Sequence, residues 1–107
     1  MDDPIKLLRI YTDETAYFGD HKLYVVISTR ARDASIAGIT VLRAMLGFGR
    51  SAHVHRQHVL ENDQSILIEI VDNEAKLRRF VESLADLPDI GLVTLEAVEV
   101  LRTPQAT

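Results

Sequence analysis

The chain has no cysteine. Disulfides, thiolate metal sites, iron–sulfur ligation and cysteine catalysis are therefore excluded. It also has no tryptophan, and aromatics make up only 6 % of it, which argues against a stacking platform for bases or sugars. Positive charge is in short supply: 12 Lys and Arg face 16 Asp and Glu, for a formal net charge of −4. Non-specific nucleic-acid binding needs a basic surface, so no nucleic-acid partner is expected. No apolar run approaches the ~20 residues of a membrane span, so no membrane insertion is expected. Met1-Asp2-Asp3-Pro4 is acidic and lacks an apolar signal core, which makes the cytoplasm the expected compartment. A catalytic set is missing too. Ser51 has histidines nearby but no specified orienting acid or oxyanion hole, and Glu69 and Glu96 lack a pocket. The chain is not expected to be an enzyme.

What is present fits one small domain over 107 residues, with its core at about 6–102 and a loose C-terminal tail. Its organising stretch is Gly38 to Arg50. Ile39 to Leu46 is apolar on both alternating faces apart from Thr40 and Arg43, so a strand covered on both sides is expected. Gly47 and Gly49 then permit a sharp turn, and Arg50 places a cation just beyond it. A polar, histidine-containing connection follows, Ser51 to Gln64.

Lys6 to Tyr11 reads as the first strand and Thr12 to Asp20 as a loop with a turn at Gly19-Asp20. Asp20 is placed to cap a helix whose apolar stripe is Leu23, Val26, Ile27, Ala31 and Ala34. After the organising strand and its connection, Ile66 to Val71 forms a third strand, most simply antiparallel to the second. Asp72-Asn73 caps a second helix with a stripe of Leu77, Phe80, Val81 and Leu84, ended by Pro88 and Gly91. Leu92 to Leu101 is the last strand, with a slip in alternation near Ala97-Val98 that suggests a bulge or twist.

The order β-α-β-β-α-β predicts an α+β, ferredoxin-like sandwich: a four-stranded antiparallel sheet with both helices on one face. The other face then has no helix over it, although the strands are apolar on both sides. Burial gains about 25 cal/mol per Å² of apolar surface, and monomers rarely leave such a patch open. An obligate oligomer is expected.

Four groups of residues are candidates for a site. Backbone N–H groups around Gly47, Phe48 and Gly49 can meet an anion, and Arg50 can fork onto a phosphate or carboxylate. The plain alternative is a turn with Phe48 packed and Arg50 solvated. His53, His55 and His58 offer imidazoles for zinc, copper or nickel, with His53 and His55 on one face if the segment is extended; the alternative is a solvated polar loop. Asp13 and Glu14 can hold a cation or a ligand hydroxyl, or simply be solvated. Arg43, the one charge within the organising strand, is expected to pair with an acid such as Glu69 or to sit at a subunit edge, because an unpaired buried charge is costly.

Gly38, Thr40 and Val41, followed by Gly47-Phe48-Gly49-Arg50, resemble the equivalent strand of the PII signal-transduction proteins, as does Ile68-Glu69-Ile70-Val71-Asp72. The whole chain more closely resembles the PII-like domain-of-unknown-function family 190. That resemblance is carried by Lys6-Leu7-Leu8-Arg9-Ile10-Tyr11, Leu23-Tyr24, Gly38 to Gly49, Val54-His55, Ile68 to Asp72 and Gly91-Leu92-Val93-Thr94-Leu95-Glu96. It implies a PII-like fold and a homotrimer whose sheets line the centre. It also implies ligand clefts between subunits near the base of the loop after the second strand, where PII proteins bind adenine nucleotides. His55 stands where the closer family carries its histidine. The chain departs from PII proteins at Ser51, where they have a glutamine that helps hold ligand, and in a shorter loop without the tyrosine that some of them modify. It departs again at Asp72-Asn73-Glu74-Ala75, which replaces their glycine-rich phosphate loop. Phosphate cradling is not expected at that last turn.

The reading that follows is a regulatory trimer. It binds a small anionic metabolite, an adenine nucleotide being the implied candidate, through Gly47, Phe48, Gly49, Arg50 and His55, and signals through the 51–64 loop to a partner such as a membrane transporter. Two alternatives stay open: a metal-responsive trimer that takes a divalent metal at His53, His55 and His58, and an adaptor or transport accessory without a small ligand.

Overall fold

The computed structural model describes residues 3–44 and 65–104. Alternation along the first strand decides where the core lies. In β1 (Ile5–Asp13), Leu8, Ile10 and Thr12 are buried, while Leu7, Arg9 and Tyr11 stand half-buried on the opposite face. In β5 (Ser65–Asn73), Ile66, Ile68 and Ile70 are buried and Leu67 and Glu69 take the other side. The two strands pair antiparallel with Ile10 opposite Ile68, so their isoleucine faces coincide. Helix α1 (Leu23–Asp33) brings Leu23, Ile27 and Ala31 to this face, and α2 (Glu74–Glu82) brings Leu77 and Phe80. Leu84 and Leu87 close the core beyond α2.

The sheet is completed by β4 (Thr40–Arg43) on β5 and β6 (Val93–Ala97) on β1, giving the order β4-β5-β1-β6 with every pairing antiparallel. Both helices cover one face. This is the ferredoxin-like arrangement expected from the element order. A two-residue hairpin, β2 (Tyr17–Phe18) with β3 (His21–Lys22), is added between β1 and α1. Among the described residues no helix is long and apolar enough to cross a membrane.

Within the single chain the organising strand is an edge strand, and Thr40, Leu42 and Arg43 are exposed, so the chain itself does not supply the cover expected on both sides. Three local expectations are corrected. Asp20 does not cap α1: Gly19, at φ +63°, and Asp20 form the turn of the hairpin, and Lys22 occupies the N-cap without a side-chain bond. Ala34 is exposed and ends α1, because Ser35 takes a left-handed φ of 62°. Its N–H donates to the Arg32 carbonyl and that of Ile36 to the Ala31 carbonyl, which reverses the chain. The last strand stops at Ala97, where its alternation slips, and does not continue through a bulge to Leu101.

The sheet face opposite the helices carries Leu42, Leu67, Tyr11 and Leu92 toward one end and Val71 and Leu7 toward the other. Between them runs a polar row, Thr40, Glu69, Arg9 and Thr94. Arg9 donates to Glu69 at 3.0 Å and also bonds Glu96, one step along β6. The Glu69 hydrogen bond raises the arginine's pKa most; desolvation opposes it, and the field of Glu96 adds to the rise. Leu42, Val71 and Leu92 are exposed there, Leu92 by 62 %.

Candidate functional site

Antiparallel pairing of β1 and β4 on either side of β5 brings their C-terminal ends to the same end of the sheet. Asp13 lies opposite Ser65, and the Ala44 N–H donates to the Ser65 carbonyl at 2.8 Å. The connection between strands β4 and β5 therefore leaves and returns beside the end of β1. Gly47, Phe48, Gly49, Arg50, Ser51, His53, His55 and His58 all belong to that connection and lie outside the described residues. The structure locates the base from which they extend.

That base is built from two acids in sequence that do different work. Asp13 is buried, at 5 % exposure, and its Oδ1 accepts the Thr15 N–H at 2.8 Å and the Thr15 hydroxyl at 2.7 Å. The Ala16 N–H returns to the Asp13 carbonyl at 3.1 Å. This Asx-type turn holds the chain in a tight bend. Glu14 points away from it, and its Oε2 accepts a hydrogen bond from Arg43 Nη2 and lies 3.9 Å from Lys22 Nζ. Among the described residues the two acids therefore share no bonding partner. Nor is Asp13 solvated.

Arg43 does not meet Glu69. Register puts Thr40 opposite Glu69 and Arg43 opposite Ile66, so arginine and glutamate emerge on opposite sheet faces. Glu69 belongs to Arg9, and Arg43 turns to Glu14 across the end of β1. Because β4 is an edge strand, the Arg43 side chain keeps 54 % exposure, and the penalty for a buried charge never arises. Glu69 and Glu96 do share a face, with Arg9 between them.

Lys22 was not singled out by sequence, since nothing in its neighbourhood marks it. The β2–β3 hairpin delivers it: Tyr17 pairs with Lys22, whose Nζ lies 5.8 Å from the tyrosine ring centroid. The Tyr17 side is half-exposed. Tyr17, Lys22, Glu14 and Arg43 thus form a continuous chain of contacts at the mouth of the connection. Glu14 and Arg43 were each visible in sequence, but their pairing follows from the parallel ends of the first two sheet strands. Among the described residues no group of three His, Asp or Glu is arranged to hold a metal.

The start of α2 is occupied by the chain itself. The Glu74 N–H donates to the Pro4 carbonyl at 2.9 Å and the Ala75 N–H to Asp3 Oδ2 at 3.1 Å. Glu74 adds a carboxylate in the first turn; its pKa is lowered chiefly by the Arg78 hydrogen bond and further by Lys6. Two acids at this helix N-terminus leave no room for a phosphate. Asn73 holds the N-cap position as expected, but its own side chain makes no capping bond, so Asp3 supplies it. A separate cleft of about 310 Å³ lies between α2 and β6, floored by Leu77, Val81, Val93 and Leu95 and rimmed by Arg78 and Glu82. Its β6 wall is the sheet edge opposite β4.

The family model for domain of unknown function 190, described as an uncharacterized group, matches residues 5–100. The chain belongs to this family. It is also 37 % identical over 98 residues to the UPF0166 protein of Aquifex aeolicus (strain VF5), covering 90 % of this chain and 92 % of that protein. The matched span of the family 190 model includes every sheet strand, both helices and the connection from 45 to 64. Neither description names an activity.

Proposed function

We propose that this family 190 protein is a regulatory binding module: a trimer that takes a small anionic metabolite at the strand-end site and signals through the 51–64 connection to a partner protein. The observation that carries this reading is the convergence of two cations, Arg43 and Lys22, on one carboxylate where the connection begins. Positive charge at the root of a long polar segment couples occupancy to the state of that segment. A ligand with different affinities for two arrangements of the connection shifts their populations. An adenine nucleotide is the candidate metabolite, and a membrane transporter is the kind of partner such a module would regulate.

The trimer reading is supported by the open sheet face. Leu42, Val71 and Leu92 stand exposed on it beside half-buried Leu7, Tyr11 and Leu67. Packing those faces together around a common axis removes apolar surface from water at about 25 cal/mol per Å².

The test is thermal unfolding of the purified chain against adenine nucleotides, with and without Mg²⁺, Zn²⁺ and Cu²⁺, with mass in solution measured in parallel. A ligand at 100 times its dissociation constant adds about 2.7 kcal/mol of stability. A nucleotide-dependent rise that is lost in Arg50→Ala is the expected result. A rise with transition metal alone moves the site to His53, His55 and His58. No rise with any ligand overturns the sensor reading in favour of an adaptor.

A further inference from the structure

We infer that Glu14 is an internal occupant of an anion site. Lys22 and Arg43 are the groups that bind a phosphate-type dianion, and ligand enters by displacing the Glu14 carboxylate from them. This deepens the function proposed above and rests on it.

The argument begins with charge. One glutamate oxygen, Oε2, receives both cations, so in the contacts among the described residues one carboxylate oxygen serves two positive groups. A phosphate-type group carries about −1.5 to −2 at neutral pH and three acceptor oxygens. It can take the arginine fork and the lysine ammonium at once, which one carboxylate oxygen cannot. The internal ion pair is also easy to break. The Arg43 and Lys22 side chains are 54 % and 36 % exposed, and exposed pairs contribute little to stability.

The local backbone suits such an exchange. Asp13 and Thr15 pin the bend on either side of Glu14, so only the glutamate side chain has to swing. The neighbouring Asp13 carboxylate is buried, and its Oδ1 accepts both the N–H and the hydroxyl of Thr15. Tyr17, half-exposed beside Lys22, presents a flat apolar ring to whatever carries the phosphate. A nucleoside phosphate therefore uses more of this surface than free phosphate does.

The experiment is calorimetric titration of the full chain with inorganic pyrophosphate and with ADP, at constant ionic strength, with acetate as a monoanion control. Glu14→Gln removes the competing charge and should tighten pyrophosphate binding tenfold or more. Adding Arg43→Ala or Lys22→Ala to Glu14→Gln should reverse the gain, and Tyr17→Ala should weaken ADP without changing pyrophosphate. If Glu14→Gln does not fold, Glu14→Met reads the same competition. Affinity for pyrophosphate that is unchanged or weaker without Glu14, or a gain that survives loss of both cations, overturns the assignment. The two proposals fail separately. A nucleotide-induced rise in melting temperature that is untouched by Arg43→Ala and Lys22→Ala keeps the sensor and removes this site. Pyrophosphate tightening in Glu14→Gln without any response to nucleotides keeps the site and removes the nucleotide.

Discussion

Arg30 of α1 and Asp86, beyond the end of α2, are joined by two parallel hydrogen bonds of 2.7 and 2.9 Å. The same guanidinium donates to the Ser83 carbonyl at 2.9 Å, satisfying the C-cap of α2, and lies 5.7 Å from the Phe18 ring centroid. One side chain thus ties both helices and the hairpin that carries Lys22. The hydrogen bond from Arg30 is the largest influence on Asp86 and lowers its pKa, so the folded value lies below the unfolded one. The contribution is complete above the unfolded aspartate pKa and is lost as pH falls through the folded value. Asp86→Asn should melt below wild type at pH 7, and the gap should close on acidification below the ordinary aspartate range. Thermal melts of both proteins from pH 7 to pH 3 check this; a constant gap would assign the effect to packing.

Ser35 carries a left-handed backbone at the end of α1. A residue with a Cβ pays about 1–2 kcal/mol for that conformation, and glycine does not. The Lys76 ammonium holds the Ser35 carbonyl, a contact independent of the side chain. Ser35→Gly should therefore raise stability by about 0.5–1 kcal/mol, after the extra unfolded-state entropy of glycine is subtracted. Urea unfolding at 25 °C measures it directly.

The two faces of the sheet should respond oppositely to substitution. Ile68 is fully buried under the helices, and Ile68→Ala should cost about 2–5 kcal/mol. Leu42 is 44 % exposed on the open face. Leu42→Asp should change the folding of a single chain by less than about 0.5 kcal/mol while lowering the assembled mass. Circular dichroism with light scattering separates the two effects. An unchanged mass in Leu42→Asp would remove that part of the face from any interface.

Asp3 caps a helix 72 residues away in sequence, through its bond to the Ala75 N–H. Asp3→Ala should cost about 1 kcal/mol, in line with the loss of an N-terminal cap. It should not create phosphate affinity at α2, because Glu74 remains in the first turn. Denaturant unfolding and a pyrophosphate titration of the variant test both halves of the statement.

By itself the sequence determined the periodic parts of this protein. Alternation along Leu8-Ile10 and Ile66-Ile68-Ile70, and helical spacing in Leu23-Ile27-Ala31 and Leu77-Phe80-Leu84, named the elements and the core, because burial repeats with the geometry of the backbone. Their order implied the ferredoxin-like sheet and its open face. Tertiary structure alone decided which strand lay at the edge, and so left Arg43 exposed although its neighbours are apolar. It also decided pairings between distant residues. Arg43 and Glu69 are close neighbours on paired strands, yet one register places them on opposite faces. Arg9 takes Glu69, Glu14 takes Arg43, and Asp3 reaches α2. A charged side chain has no periodic signature, and its partner is whichever opposite charge the packed strands bring within a few ångströms. The strand-end site is therefore a product of topology acting on residues that are ordinary when read one at a time.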